Sequence, residues 1–487
     1  MRTPELMQLV SLMSKSEMRR ADQFLQSPYH NNSELVLKLF QYIRKYHPKM
    51  DSYRLHKEHI FDHLYPGEKF DERRLKNPIF LLKRSLEEFL KIEQLKKEEA
   101  MQNRLLINAY YEKCDYDEIE KMIVDCVADR EKQPIRDANY YQEMLWLQEE
   151  LYYHPNQGKY LNNQQYFPFM VHYLDQFYAL SKLRFATEMN VRKGVVNEDD
   201  LPLLDESIVT KQLKRLAANN RLIDLYCYLF QFQLEIPSSE EFRSSIALLT
   251  ELLPQMGEKE KSYILSCLIS TAIRYHHKGK SEYTAFVAQL YKLADEKNLL
   301  LYRGKMQATT FLNIAILCSA AKEFAFVENI ISRYQQYLAP EEKQEVIHLS
   351  WGYWYYLQSG NHPKKKTMLQ KAQYHLSQIP YSGLVVDLRL RSLQLRVFYD
   401  LEISNGNESV FSHFADAFEK WLVRNPILAN QRTAAYLNFV RLTKQLGKIA
   451  ILAIIDKDDL QQLEKKISTQ EPLILRNWLL EKVEELQ

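Results

Sequence analysis

Apolar positions recur along this chain at spacings of three and four, the period of a helix with one buried face. The clearest stripe is Leu75, Ile79, Leu82, Leu86 and Phe89, which on an ideal helix covers about 100° of arc. Leu35, Leu39, Tyr42, Ile43 and Tyr46 line a second face, opened by Asn32-Ser33 and stopped by Pro48. Ser14-Lys-Ser-Glu17 reads as a capping box, in which serine and glutamate satisfy each other's orphan backbone donors. The helix it opens ends near Ser27-Pro28. Asp51-Ser52 predicts the start of another helix, ending in Tyr65-Pro66-Gly67. Asn77-Pro78 has the chemistry of a cap followed by a first helical residue, which leaves the start of the Leu75–Phe89 helix open. No stretch alternates convincingly with the period of a strand, so the expected fold class is all-α.

From about residue 100 the helical pattern comes in pairs joined by short turns. The stretch Asn108 to Cys126 places Tyr110 on a first helix and Tyr116 at the turn, with Ile119 and Cys126 at crossing positions of a second helix. Phe311 through Pro340 repeats the rhythm, with a turn at Lys322-Glu-Phe324 followed by Val327, Ile331 and Tyr334. Trp351 to Pro380 has Gly360 at its turn and Ala372 at a crossing position. These stretches resemble the tetratricopeptide repeat (TPR), whose usual alanines are replaced by Ile119 and Cys126 and whose usual turn glycine is replaced by Cys114. The chain as a whole resembles uncharacterised bacterial helical-repeat proteins. The resemblance implies an N-terminal helical bundle over residues 1–100, then a TPR-like α-solenoid of stacked helical pairs over 101–487. At about 34 residues per unit that leaves room for roughly ten pairs. Each pair would bury its apolar face on its neighbours, an arrangement that suits 32 tyrosines whose hydroxyls can reach an edge or a groove.

Composition narrows the chemistry. Only 11 of 487 residues are glycine, and the closest two, Gly352 and Gly360, stand eight apart. This excludes a dinucleotide-binding G-x-G-x-x-G turn, a phosphate loop and a G-x-S-x-G nucleophile elbow, each of which needs glycines close together. A net charge of +2 gives no global drive toward nucleic acid or an anionic membrane. The longest purely aliphatic stretch, Ile449 to Ile455, is far short of a membrane span. The N-terminal residues lack the apolar core of a signal peptide, and five scattered cysteines without a C-x-x-C read as reduced thiols. A cytoplasmic protein is expected.

Three groups of side chains carry candidate chemistry. His56, His59 and His63 fall within about 60° if one helix carries all three, a facing geometry that imidazole metal sites use. They border an apolar stripe, where packing histidines are the ordinary case, and no metal is expected. Arg73, Arg74, Lys76, Lys83, Arg84 and Lys91 face only Glu87 and Glu88 over residues 73–91, a local excess of cations. A solvated outer face is the default for such charge. Trp351, Tyr353, Trp354, Tyr355 and Tyr356 form an aromatic run, of which Trp351, Tyr355 and Tyr356 are the candidates for gripping a partner. His276-His277 with Lys278-Gly279-Lys280 reads as an inter-helix turn. Glu198-Asp199-Asp200 and Asp456 to Asp459 lack the pattern of a calcium loop and read as a loop and a helix N-terminus.

No catalytic residue and no cofactor is expected. The expected function is a non-catalytic scaffold that binds an unidentified protein or peptide on the concave face of the array, with neither nucleic acid nor membrane as partner. The alternative is a transcriptional regulator in which Arg73, Arg74, Lys76 and Arg84 meet DNA while the TPR-like part senses a ligand.

Overall fold

The computed structural model describes residues 4–156, 162–193, 213, 215, 220–360, 362–380, 384–402, 409–425, 430–452 and 456–487. Helix makes up 78% of it, and no strand forms among the described residues. The acidic stretch Glu198–Asp200 and the end of the Ile449–Ile455 stretch lie outside them. The chain divides into two compact units, residues 1–132 with 143–170, and residues 133–142 with 171–487.

In the first unit, local signals set the helices α1 (Pro4–Leu12), α2 (Lys15–Gln26), α3 (Glu34–Arg44), α4 (Lys57–Leu64) and α5 (Glu72–Leu95). The Ser14 capping box forms as read: the Glu17 N–H donates to Ser14 Oγ at 3.1 Å, and the Ser14 N–H donates to Glu17 Oε2 at 2.7 Å. Ser33 makes no side-chain cap on α3. Asn31 holds that turn instead, with its amide donating to the Leu25 carbonyl at 2.9 Å. Ser52 caps a single 3-10 turn, Tyr53–Leu55, so α4 begins only at Lys57 with His56 as its N-cap. The start of α5 is settled by Asp71, whose carboxylate accepts the Arg73 N–H at 2.9 Å, and Pro78 is carried inside the helix. Leu75, Pro78, Leu82, Leu86 and Phe89 of α5 are buried among Leu39, Phe40 and Ile43 of α3 and residues of α1, α2 and α4, giving one continuous core. Beyond it α6 (Glu99–Tyr111) and α7 (Tyr116–Lys132) pack as a hairpin. Part of α8 (Ala138–Tyr152) belongs to this unit, where Tyr111 Oη donates to Glu150 at 3.0 Å and Arg130 pairs with Glu143 at 2.8 Å.

The second unit takes the rest of α8 and most of α9 (Phe167–Lys193). It continues with α10 (Arg221–Leu234), α11 (Ser239–Leu252), α12 (Glu258–His277), α13 (Tyr283–Glu296) and α14 (Ala308–Asn313), the last running into a π-helical turn, Ile314–Cys318. There follow α15 (Phe324–Tyr334), α16 (Lys343–Ser359), α17 (Lys365–Ser377) and α18 (Leu384–Glu402). The chain ends with α19 (Ser409–Arg424), α20 (Asn430–Ala450), α21 (Lys457–Thr469) and α22 (Arg476–Glu484). Each helix packs on the next from α15 to α22, as do α10 on α11 and α12 on α13, and next-but-one helices also meet: α10 with α12, α14 with α16, α16 with α18, α20 with α22.

Close approach is bought by small residues at crossings. A Cβ on Gly352 of α16 would lie 2.6 Å from Leu376 Cδ2 of α17 and 3.6 Å from Leu393 Cδ2 of α18. Ala372 of α17 is fully buried. Helix ends also repeat one motif. After α6, α12, α13 and the π-turn, the chain turns at Cys114, Gly279, Asn298 and Lys322, with φ of +56°, +86°, +56° and +63°. The next N–H returns to the carbonyl five residues back, from Asp115 to Tyr110, Lys280 to Tyr275, Leu299 to Ala294 and Glu323 to Cys318. Such a left-handed residue closes a helix by satisfying its last carbonyls, and favours glycine. Cys114 and Lys322 adopt it without glycine's freedom.

Candidate functional site

The outward side of α5 collects the cationic residues. Arg73, Lys76, Phe80 and Arg84 are all exposed, on the side of the helix opposite Leu75, Leu82 and Leu86. Part of the charge is matched by carboxylates, Glu68 and Glu5 from outside residues 73–91 and Glu88 from within them. Arg74 pairs with Glu68 and lies with its guanidinium 4.0 Å from the Tyr65 ring centroid. Lys83 reaches Glu5 of α1 at 2.5 Å, Lys57 of α4 pairs with Glu72, and Lys91 meets Glu88 at 3.1 Å. Lys83 holds the Glu5 carboxyl below the usual carboxylate range, first by its hydrogen bond and then by its charge. Lys57 acts on Glu72 in the same way. Between α1, α4 and α5 opens a cleft of about 720 Å³.

The aromatic run divides between core and surface. Tyr353, Trp354 and Tyr356 are buried, and the Trp354 Nε1 donates to the Phe324 carbonyl at 3.0 Å. Trp351 and Tyr355, one helical turn apart, are half-buried on the other side of α16. There His375 of α17 stacks on both rings, with centroids 6.3 and 5.5 Å apart, and Lys371 stands 5.3 Å over the Tyr355 ring. Tyr356 leaves this surface group because a residue five positions after Trp351 points about 140° away from it. Its hydroxyl donates to Asp400 of α18 at 2.8 Å and accepts from Trp478 Nε1 of α22 at 2.8 Å.

His348 and His375 meet Nδ1 to Nδ1 at 3.0 Å, so one ring must present a lone pair to the other's N–H. Burial, and then the charge of His348, pushes His375 down to about 4. A histidine neutral in the folded state contributes stability that is complete above its ordinary value of about 6.5 and is lost as pH falls through the lowered one. Urea midpoints should therefore fall between pH 6.5 and about 4 more steeply for the wild type than for His375→Gln. Equal slopes would mean that His375 is not buried beside His348 in solution.

The three candidate metal ligands do not share a helix face. His56 sits before α4 as its N-cap, His59 stands edge-on to Tyr53 at 5.4 Å, and His63 stacks on Tyr42 at 4.4 Å. Among the described residues no group of three metal-ligating side chains converges. A second cavity, of about 430 Å³, lies in the second unit beside Arg136, His172 and Asn220. Its polar walls bond to one another: the Asn220 amide donates to Gln176 Oε1 at 2.7 Å and Tyr141 Oη at 3.2 Å, while its Oδ1 caps α10 through Leu222 N–H at 3.0 Å.

All five cysteines are free, with Cys227, Cys267 and Cys318 buried. Burial pushes the Cys267 thiol up to about 11, so it is held as an unreactive thiol. No described helix is long and apolar enough to cross a membrane. Sequence reasoning passed over Phe80, although its place on the polar side of an otherwise clean amphipathic helix was readable from the spacing. Comparison of the chain with protein-family models, with curated proteins and with solved structures found no match.

Proposed function

We propose that this chain is a cytoplasmic, non-catalytic scaffold of the TPR-like helical-repeat kind, which binds a protein or peptide along the helical pairs of its second unit. The observation that carries this reading is the packing of each helix on the next from α15 to α22, with next-but-one contacts at α10–α12, α14–α16, α16–α18 and α20–α22, the contact pattern of stacked pairs. The shared helix-end motif at Cys114, Gly279, Asn298 and Lys322 and the tight crossing at Gly352 support it. Trp351 and Tyr355, rigid rings backed by His375 and flanked by Lys371, are the anchors offered to the partner.

The test is affinity purification of tagged wild-type protein and of Trp351→Ala/Tyr355→Ala from the native host. A defined partner in near-stoichiometric amount, lost in the double variant with helicity unchanged, is the expected result. A partner retained by the variant moves the site elsewhere, and the absence of any specific partner overturns the scaffold reading. The alternative, a regulator with a DNA-binding head, draws on the exposure of Arg73, Lys76 and Arg84, and is weakened by the carboxylates that pair with Arg74, Lys83 and Lys91.

A further inference from the structure

The cleft of the first unit combines three features that the remainder of its surface does not explain. Its floor is apolar, formed by Leu6 of α1 and by Leu75 and Ile79 of α5. At its mouth the Phe80 ring is 61% exposed on the polar side of α5. Its cations are of two kinds. Lys57 and Lys83 are held in ion pairs with Glu72 and Glu5, whereas Lys76, whose charge also acts on Glu72, and Arg84 stand on the exposed side of α5. These two stand four residues on either side of Phe80, about 12 Å apart along the helix axis.

We propose that this cleft binds an acidic peptide segment that carries one large apolar side chain. The apolar group packs on Phe80 and Ile79, and carboxylates on either side of it meet Lys76 and Arg84. In an extended segment, acidic residues two positions before and two positions after the apolar residue lie about 13 Å apart, which matches the spacing of the two cations. Their side chains project to the same face as the apolar one. The charge pattern favours a peptide over nucleic acid. Glu5, Glu72 and Glu87 line the same walls. A phosphate backbone, with a charge at every nucleotide, would meet those carboxylates, whereas a segment with two separated acids need not. The cleft lies wholly within the first unit, so it stands or falls separately from the array of the second.

Fluorescence anisotropy with the full-length protein tests the site. The probes are three fluorescein-labelled peptides, Ser-Glu-Gly-Phe-Gly-Glu-Ser and its counterparts with Leu or Ser in place of Phe. The Phe peptide should bind saturably and about tenfold or more tighter than the Ser peptide, with Leu between them. Phe80→Ala should remove that preference. Lys76→Glu/Arg84→Glu should lose the acidic peptide and gain Ser-Lys-Gly-Phe-Gly-Lys-Ser, a reversal that a misfolded protein would not show. Trp351→Ala/Tyr355→Ala should bind as the wild type does, which separates this site from the proposed array site. The proposal is overturned if the wild type fails to bind the Phe peptide, if it binds the Ser peptide equally well, or if the charge-reversed protein keeps the acidic peptide. It is also overturned if a random DNA duplex at about 50 mM salt binds more tightly than the peptide and is lost in the charge-reversed variant, which would assign the face to nucleic acid.

Discussion

Lys482→Met should destabilise the C-terminal helices by about 3–5 kcal/mol, the usual cost of leaving one member of a buried ion pair alone. Lys482 of α22 and Asp400 of α18 lie 3.0 Å apart, with each side chain only 7% exposed. Asp400 also accepts from Tyr356 of α16, and that hydroxyl in turn accepts from Trp478, one turn before Lys482 on α22. One polar chain thus ties the last helix to two helices far back in the sequence, inside a cluster with Tyr399, Phe439 and Leu479. Methionine can fill the space of the lysine stem but removes a counter-charge 3.0 Å from a buried carboxylate. The companion variant Lys482→Met/Asp400→Leu removes both charges and should recover most of the loss, since replacing a whole buried pair by apolar groups is often neutral. Urea denaturation of the two single variants and the double one closes the cycle. A double variant as unstable as the sum of the singles would show that the pair is not coupled. Burial opposes the ammonium, but the charges of Asp400 and Glu485 outweigh it, and the Lys482 pKa is raised. Its contribution is therefore complete below the ordinary lysine value of about 10.4 and is lost only as pH rises through the raised one. The effect of the substitution should accordingly be constant across neutral pH.

A second large effect is expected in alkali. Tyr226 and Tyr356 have pKa values well above 10, because burial disfavours the phenolate and the carboxylates of Glu260 and Asp400 repel it. Tyr141, where burial also dominates, is pushed up to about 12. A group whose folded pKa is raised gives its full stability below its ordinary value and loses it as pH climbs toward the folded one. For a shift from about 10 to about 12 the loss is about 2.7 kcal/mol. Two to six such tyrosines together lose about 5–16 kcal/mol, the range that holds a typical domain, so unfolding precedes their titration. Phenolate absorbance should rise in two phases. The second phase, in which Tyr226, Tyr356 and Tyr141 ionise, is a steep step well above pH 10 that coincides with loss of helical circular dichroism. One smooth titration of all tyrosines near pH 10 with helicity retained would contradict the burial of Tyr226 and Tyr356.

Features written in a few adjacent residues were legible from the sequence. Spacings of three and four set the all-α class and the buried stripe of α5, because the helix period relates residues within a turn or two regardless of the rest of the chain. The Ser14–Glu17 box and the turns at Cys114, Gly279 and Lys322 are equally local, since a helix end is satisfied by its own last residues. Errors arose where two local signals competed. Ser52 caps a single 3-10 turn rather than α4, which moves His56 off the helix that was to carry all three histidines. The start of α5, which Asn77-Pro78 left open, is set by the Asp71 cap.

Everything in the candidate sites that depends on two distant segments was decided by the tertiary structure. Glu5 is 78 residues from the Lys83 it neutralises, so the cationic run over residues 73–91 looks more positive in sequence than it is in the folded bundle. Tyr356 and Trp478, 122 residues apart, become hydrogen-bonded partners only when α22 packs back on α16, and the residue read as a surface anchor becomes part of a buried network. His348 and His375 are unremarkable on their own helices and form a pair because α16 and α17 cross closely, at the level where Gly352 leaves room. Sequence fixes a residue's direction on its own helix to within the helix period. Which charge, ring or hydroxyl it meets there depends on how whole helices dock, and that is set by the summed burial of many side chains rather than by its neighbours in the chain.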